Sequence, residues 1–129
     1  TLNLGLILGY ILAPIAWVIG VDWNDAVIAG GLIGQKVVLN EFIAYLQLSQ
    51  TPIGDGPGAI SEHSRLILTY ALCGFANFAS IAIQIGGIGS LAPERRADLA
   101  RFGLRAVLGG SIATLMTATI AGVLLTLGG

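Results

Sequence analysis

Charged side chains are scarce in this chain, and their scarcity excludes an ordinary soluble domain. Asp, Glu, Lys and Arg make up 10% of its 129 residues, whereas soluble domains usually carry about 25%. Hydrophobic residues make up 55%. Because so few charges are available to face water, most of the surface is expected to contact the lipid bilayer. The composition therefore predicts an integral membrane protein.

Residues that support other functions are equally few. The net charge is −1, and the arginines cluster in one place, so no basic face for nucleic acid is available. The one cysteine, Cys73, excludes an internal disulfide and lies in a different kind of segment from the only histidine, His63. We expect no catalysis and no metal or other cofactor in this chain. No basic region precedes the first apolar stretch, so it does not resemble a signal peptide, and we expect the chain to be part of a larger protein.

The apolar segments are unequal in length. A membrane-spanning helix needs about 20 apolar residues, and Ala106–Leu127 meets this requirement. Leu66–Ala92 would be about 40 Å long as one helix, which exceeds the bilayer core of about 30 Å. This segment also contains Asn77 and several glycines, so we predict a broken helix. Thr1–Val21 could span the membrane or lie along its interface.

The middle of the chain contains two short apolar stretches. Ala26–Gly34 and Phe42–Gln50 would each be roughly 14 Å long as helices, about half a bilayer. Between them, Gln35–Glu41 is polar at both ends. This pattern is typical of a re-entrant hairpin, which protein or a water-filled cavity must cover. The alternative is one spanning helix, Val27–Leu48, with an internal ion pair, and length alone leaves both open.

The distribution of charge favours the hairpin. Four arginines lie in Glu94–Arg105, so the positive-inside rule predicts that this loop is cytoplasmic. The loop Ser49–Ser64 is then outside. Acidic residues flank the middle segment at both ends, with Asp22 and Asp25 before it and Asp55 after it. A hairpin places both acidic ends on the outer side, whereas a single crossing would not.

Glu41 is the strongest candidate for a functional residue. An ionisable side chain at membrane depth costs roughly 2.5–3.5 kcal/mol on insertion scales and is by default a functional candidate. A carboxylate beside Asn40 at the apex can accept hydrogen bonds from the paired hydroxyls of a ribose, or bind a cation or a proton. The alternative is an ion pair with Lys36 that only neutralises the apex. We favour function.

Asn77, Ser80 and Phe75 form a second candidate group in the long apolar segment. The Asn77 amide can bind a polyhydroxylated ligand, Ser80 could share its face, and Phe75 could stack on a planar ring. Taken alone, Asn77 is better explained by a helix–helix hydrogen bond. The runs Gly86–Gly89 and Gly109–Ser111 lack the features of a phosphate loop, and close helix packing explains them better.

Three stretches of the sequence resemble the concentrative nucleoside transporter family. They are Gly34–Tyr45, with its Asn-Glu-Phe, Ala71–Asn77, with Cys-Gly-Phe-Ala-Asn, and Gly86–Arg96. The resemblance covers essentially the whole chain, in order and at the family's spacing. It implies a cation-coupled nucleoside symporter that works as a homotrimer, in the bacterial inner membrane.

The resemblance also implies an all-α membrane fold, one of two inverted repeats of the transport domain. Residues 1–21 would be an interfacial helix, 24–50 a re-entrant hairpin, 64–92 a broken transmembrane helix and 96–127 the last transmembrane helix. The N-terminal half of the same transporter would be a partner, and the trimer would form through scaffold helices outside this chain. The coupling ion, sodium or proton, is expected to bind outside this segment.

The family's binding residues map onto the candidates found above. The resemblance implies that Glu41, Asn77 and Ser80 contact the ribose of a nucleoside such as uridine and that Phe75 lies against the base. Ala79 stands where some members have Ser. Two other classes stay open: a structural or assembly membrane subunit, and an ion or proton channel subunit with Glu41 as its gate.

Overall fold

Six α-helices make up most of the structure, a computed structural model that describes residues 3–128. The helices are α1 (Leu4–Val18), α2 (Ala26–Val38), α3 (Glu41–Gln50), α4 (Glu62–Ala71), α5 (Phe78–Leu91) and α6 (Arg96–Gly128). Short 3-10 turns, Trp23–Asp25 and Pro93–Arg95, precede α2 and α6. Within residues 3–128 the β-type pairing is limited to one isolated bridge, between Ile53 and Ile60. The predicted all-α class is confirmed.

The core forms where α1 packs closely against α2. A Cβ atom on Gly30 would lie 2.6 Å from the carbonyl oxygen of Gly9, and one on Gly9 would lie 2.6 Å from that of Val27. Only glycine allows two helix backbones to approach so closely. Buried side chains of α4 and α6, among them Leu68 and Ala118, complete the same hydrophobic cluster.

The middle segment consists of two helices, so the single-helix alternative is wrong. Helices α2 and α3 are joined at Leu39 and Asn40, and the Asn40 Oδ1 atom caps α3 by accepting a hydrogen bond from the Ile43 amide at 3.0 Å. We expected the first helix to end at Gly34, but it continues to residue 38. The polar residues Gln35 and Lys36 do not end the helix, because both are good helix formers, and Lys36 is only 2% exposed.

The long apolar segment also consists of two helices. Helix α4 ends at Ala71, α5 begins at Phe78, and residues 72–77 connect them. With 10 and 14 residues, neither helix has the about 20 residues that a full membrane crossing needs. The connection between them is therefore a second interruption, comparable to the one between α2 and α3.

Helix α6 has 33 residues and would be about 50 Å long. Of the chain that the structure describes, this helix with its preceding turn is the one element long and apolar enough to cross a membrane. The predicted loop over residues 94–105 is wrong, because the chain is helical from Arg96 onwards. An exposed ion pair lies at its start, where the Nε atom of Arg95 and the Oδ2 atom of Asp98 are 2.6 Å apart.

Close packing accounts for only some of the glycines in the two glycine runs. A Cβ atom on Gly110 would lie 2.9 Å from the Cβ of Ala76, and one on Gly89 would lie 2.9 Å from the Cγ of Arg96. A Cβ atom would meet nothing within 4 Å at the other three, Gly86, Gly87 and Gly109. For these three, no close packing is formed within residues 3–128.

Candidate functional site

The two helix interruptions meet at a hydrogen bond between Asn77 and Glu41. The Asn77 Nδ2 atom donates to the Glu41 Oε2 atom at 3.1 Å, although the two residues are 36 positions apart. Glu41 is the first residue of α3, and Asn77 immediately precedes α5. The fold therefore brings two of the predicted site residues into direct contact, with the N-terminus of one helix facing that of another.

Local capping fixes the orientation of the Asn77 side chain. Its Oδ1 atom accepts a hydrogen bond from the Ser80 backbone amide at 2.8 Å, and the Asn77 backbone amide donates to the Ser80 hydroxyl oxygen at 3.4 Å. Together these contacts form a capping box at the start of α5. Because Oδ1 is used in the cap, Nδ2 points to Glu41. Asn77 is 1% exposed, and both ends of its amide have partners.

Glu41 lies where two helices begin. A helix N-terminus carries a partial positive charge from its free amide groups, and Glu41 lies in the first turn of α3 and contacts the cap of α5. Lys36, the basic residue in the last turn of α2, is buried. Within residues 3–128, however, the one ion pair shorter than 4.0 Å joins Arg95 and Asp98. The direct Lys36–Glu41 ion pair, considered as an alternative, is not formed.

Phe75 and Ser80 line an open groove between α5 and α6. The groove has a volume of about 830 Å³, and most of the side chains that line it are apolar. The Phe75 ring is 60% exposed, so a planar group could stack on it. Glu41 and Asn77 are not among the lining residues. Hydrogen bonds thus link Glu41, Asn77 and Ser80, and the exposed ring of Phe75 lies two residues before Asn77 in the chain.

Sequence reasoning missed a hydrogen-bonded cluster at the other end of the hairpin. The Ser61 amide donates to Asp25 Oδ2 at 3.0 Å, and the Ser61 hydroxyl donates to Asp22 Oδ2 at 3.0 Å. The Asp22 amide donates to the Ser64 hydroxyl at 3.3 Å. This cluster ties the start of α2 to the start of α4. The Ser-x-x-Ser spacing of a helix cap was the available signal, but the two Asp residues were interpreted only as the charged border of an apolar segment.

Two further side chains, Arg65 and Tyr45, hold α3 against α4. The Arg65 Nη1 atom donates to the carbonyl oxygens of Leu48 and Thr51, both at 3.2 Å, and so satisfies the C-terminal end of α3. The Tyr45 hydroxyl donates to the Thr69 carbonyl oxygen at 2.6 Å. Because α4 leads directly to the interruption before Asn77, these contacts help to place Glu41 beside Asn77.

Comparison with known proteins finds the same fold and clear sequence similarity. Residues 1–122 match the family described as Na+ dependent nucleoside transporter C-terminus. The uncharacterized transporter YutK of Bacillus subtilis is 54% identical over 90% of this chain and 28% of that protein. The nucleoside permease NupC of Helicobacter pylori is 50% identical over 98% of this chain and 30% of that protein.

A solved structure of CNTnw in an inward-facing substrate-bound state has a TM-score of 0.90 and 49% sequence identity. The match covers 98% of this chain and 30% of the CNTnw chain. The class that the fold and these matches define is that of integral membrane transport proteins. The chain belongs to the concentrative nucleoside transporter family and corresponds to its C-terminal domain. It spans about 30% of the length of these relatives.

Proposed function

We propose that this chain supplies the ribose-binding part of a cation-coupled symporter that carries nucleosides such as uridine. The observation that supports the proposal most directly is the hydrogen bond between Asn77 and Glu41 at 3.1 Å, which joins two helix interruptions in a strongly apolar chain. Transporters commonly bind their substrates at interrupted helices near the middle of the membrane. An ionisable side chain is costly to place in an apolar environment, so a contact of this kind is by default a candidate functional site.

The chemistry of the three polar residues suits a ribose. Both oxygens of the Glu41 carboxylate can accept hydrogen bonds, so this side chain can bind a pair of neighbouring hydroxyl groups. The Nδ2 atom of Asn77 has a second hydrogen besides the one it donates to Glu41, and the Ser80 hydroxyl oxygen can still accept a hydrogen bond. Phe75 would stack on the base, an interaction typically worth about 1–3 kcal/mol. Glu41, Asn77 and Ser80 thus bind the sugar, and Phe75 holds the base.

The same proposal assigns a membrane position to each helix. Helix α1 lies along the interface, α2 and α3 form a re-entrant hairpin, α4 and α5 form a broken transmembrane helix, and α6 crosses the membrane. With 13 and 10 residues, α2 and α3 would be about 20 and 15 Å long, too short to cross the core of about 30 Å. The backbone at residues 39 and 40 then needs protein or water around it.

The remaining parts of the transporter lie outside this chain. The N-terminal half of the transport domain, an inverted repeat of this one, covers the hairpin apex and completes the nucleoside site. Scaffold helices form the homotrimer. The coupling ion, sodium or proton, binds in the other half. These assignments agree with the share of the relatives' length that this chain spans, which is about 30%.

The transport activity is tested with a complete transporter, containing this chain, reconstituted in liposomes. We expect an inward gradient of sodium ions or protons to drive radiolabelled uridine into the vesicles, and an ionophore that dissipates the gradient to abolish the accumulation. Ion current in the absence of nucleoside would contradict the proposal and favour the channel alternative. A complete absence of uridine binding would favour a structural subunit.

The orientation in the membrane is a separate prediction. The four arginines of Glu94–Arg105 support a cytoplasmic position for the start of α6. We expect a cysteine introduced by Ala97→Cys to react with a membrane-impermeant maleimide only after the cells are opened. A cysteine introduced by Gly56→Cys, in the loop between α3 and α4, should react in intact cells. Labelling of the first variant from outside would contradict this orientation.

A further inference from the structure

The segment between α4 and α5 rests on α6 at two points. A Cβ atom on Gly74 would lie 2.1 Å from the Oγ1 of Thr114, so the Gly74 backbone lies directly against that side chain. Two residues further on, the Cβ of Ala76 would be only 2.9 Å from a Cβ on Gly110. Real Cβ atoms do not approach other atoms so closely, and glycine is required at both positions.

The two residues that contact α6, Gly74 and Ala76, lie on either side of Phe75, and Ala76 directly precedes Asn77. Thr114 is itself held in place, because its hydroxyl donates to the Gly110 carbonyl oxygen at 2.8 Å and its branched Cβ restricts χ1. Both α6 residues therefore form one rigid surface, a single helical turn in length. A segment without regular secondary structure takes its conformation from such neighbours.

We propose that Thr114 and Gly110 are positioning residues for the nucleoside site. They act by holding Gly74 and Ala76, and through these two residues they fix the Phe75 ring and the Asn77 amide relative to Glu41. The inference rests on the proposed function, and it adds to the site two α6 residues whose sequence gives no sign of a binding role. Binding sites of this kind tolerate displacements of only about 0.5 Å.

Gly110 and its neighbour Gly109 offer a matched pair of variants for the test. Gly110→Ala and Gly109→Ala both replace a glycine in α6 by the better helix former, but an added Cβ meets Ala76 at 2.9 Å in the first and nothing within 4 Å in the second. We expect Gly110→Ala to raise the equilibrium Kd for uridine about tenfold or more, and Gly109→Ala to leave it unchanged. The measurement is uridine binding to the purified complete transporter, with the thermal unfolding of the ligand-free protein recorded alongside.

A second pair of variants tests the contact with Thr114 by rescue. Gly74→Ala should weaken uridine binding, and adding Thr114→Ala, which removes Oγ1 and Cγ2, should recover part of the affinity. Equal Kd values for Gly110→Ala and Gly109→Ala would overturn the inference, as would a lower unfolding temperature in Gly110→Ala without any change in Kd. If Gly74→Ala does not fold, the comparison of Gly110→Ala with Gly109→Ala still tests the inference.

A failure of the proposed function and a failure of the positioning role give different binding results. Wild-type protein that binds no uridine would overturn the proposed function and the inference with it. Wild-type binding that is lost in Glu41→Gln but is the same in both α6 glycine variants would overturn the inference alone.

Discussion

Glu41→Gln is expected to raise the Kd for uridine by about 10- to 100-fold without unfolding the transporter. Gln has the same shape, and its Oε1 can still accept the hydrogen bond from Asn77 Nδ2. The substitution removes the negative charge of the side chain, and a hydrogen bond to a charged group contributes about 1.5–3 kcal/mol of free energy. One such bond from a ribose hydroxyl corresponds to about tenfold or more in affinity. Equilibrium binding and gradient-driven uridine uptake measure the effect.

Glu62→Gln is the matched control for this substitution. Glu62 is also the first residue of its helix, α4, so both variants remove one carboxylate from a helix N-terminus and lose the same dipole interaction of about 0.3–1 kcal/mol. Only Glu41 contacts Asn77, and Glu62→Gln should leave uridine affinity unchanged. Near-normal uptake by Glu41→Gln, or full activity of Glu41→Gln combined with Lys36→Met, would show that the two residues serve only packing.

Polar residues within apolar segments were the features that sequence reasoning could use. Glu41 and Asn77 are conspicuous because each is costly in an apolar surrounding, and both prove to lie at helix interruptions. Their direct contact could not be predicted, since it depends on how α2 and α3 pack against α4 and α5. No local pattern contains that information.

Helix boundaries that were predicted from the positions of charged residues were less accurate than the predicted interruptions. The helix expected to end at Gly34 continues to Val38, and the loop expected over residues 94–105 is helical from Arg96. Both errors have one physical cause: Lys and Arg are good helix formers, and a charged side chain ends an apolar stretch without ending a helix. Asn40 and Asn77, which cap α3 and α5, mark the true helix starts.

The contact between residues 72–77 and α6 also could not be predicted from the sequence. Gly109 and Gly110 are adjacent and chemically identical, yet only one lies against Ala76. Which face of a helix meets a neighbour cannot be deduced when no side of the helix carries a charge, as in α6 from Ala106 to Leu127. The role of Thr114 is hidden for the same reason, because small polar residues are common throughout membrane helices.

Asn77→Asp is expected to weaken uridine binding by about 100-fold while α5 remains capped. Asp is as good an N-cap residue as Asn, so its carboxylate can still accept the hydrogen bond from the Ser80 amide. The Nδ2 donor is lost, however, and two carboxylates then face each other where a hydrogen bond of 3.1 Å was made. Such a pair must share a proton or separate, and either change alters the group that binds the ribose. Binding of uridine and thermal unfolding of the purified complete transporter measure the two effects.

The double variant Asn77→Asp with Glu41→Gln separates stability from recognition. The Gln side chain can donate to the new carboxylate, so the hydrogen bond is restored with its direction reversed, and we expect a favourable coupling of about 0.5–3 kcal/mol in stability. Uridine affinity should stay low, because the carboxylate now belongs to the cap of α5 and is no longer on α3. Asn3→Asp, which alters the equivalent cap of α1, should change neither quantity. Recovery of both stability and affinity in the double variant would show that the ribose requires one charge at this contact but not specifically at Glu41.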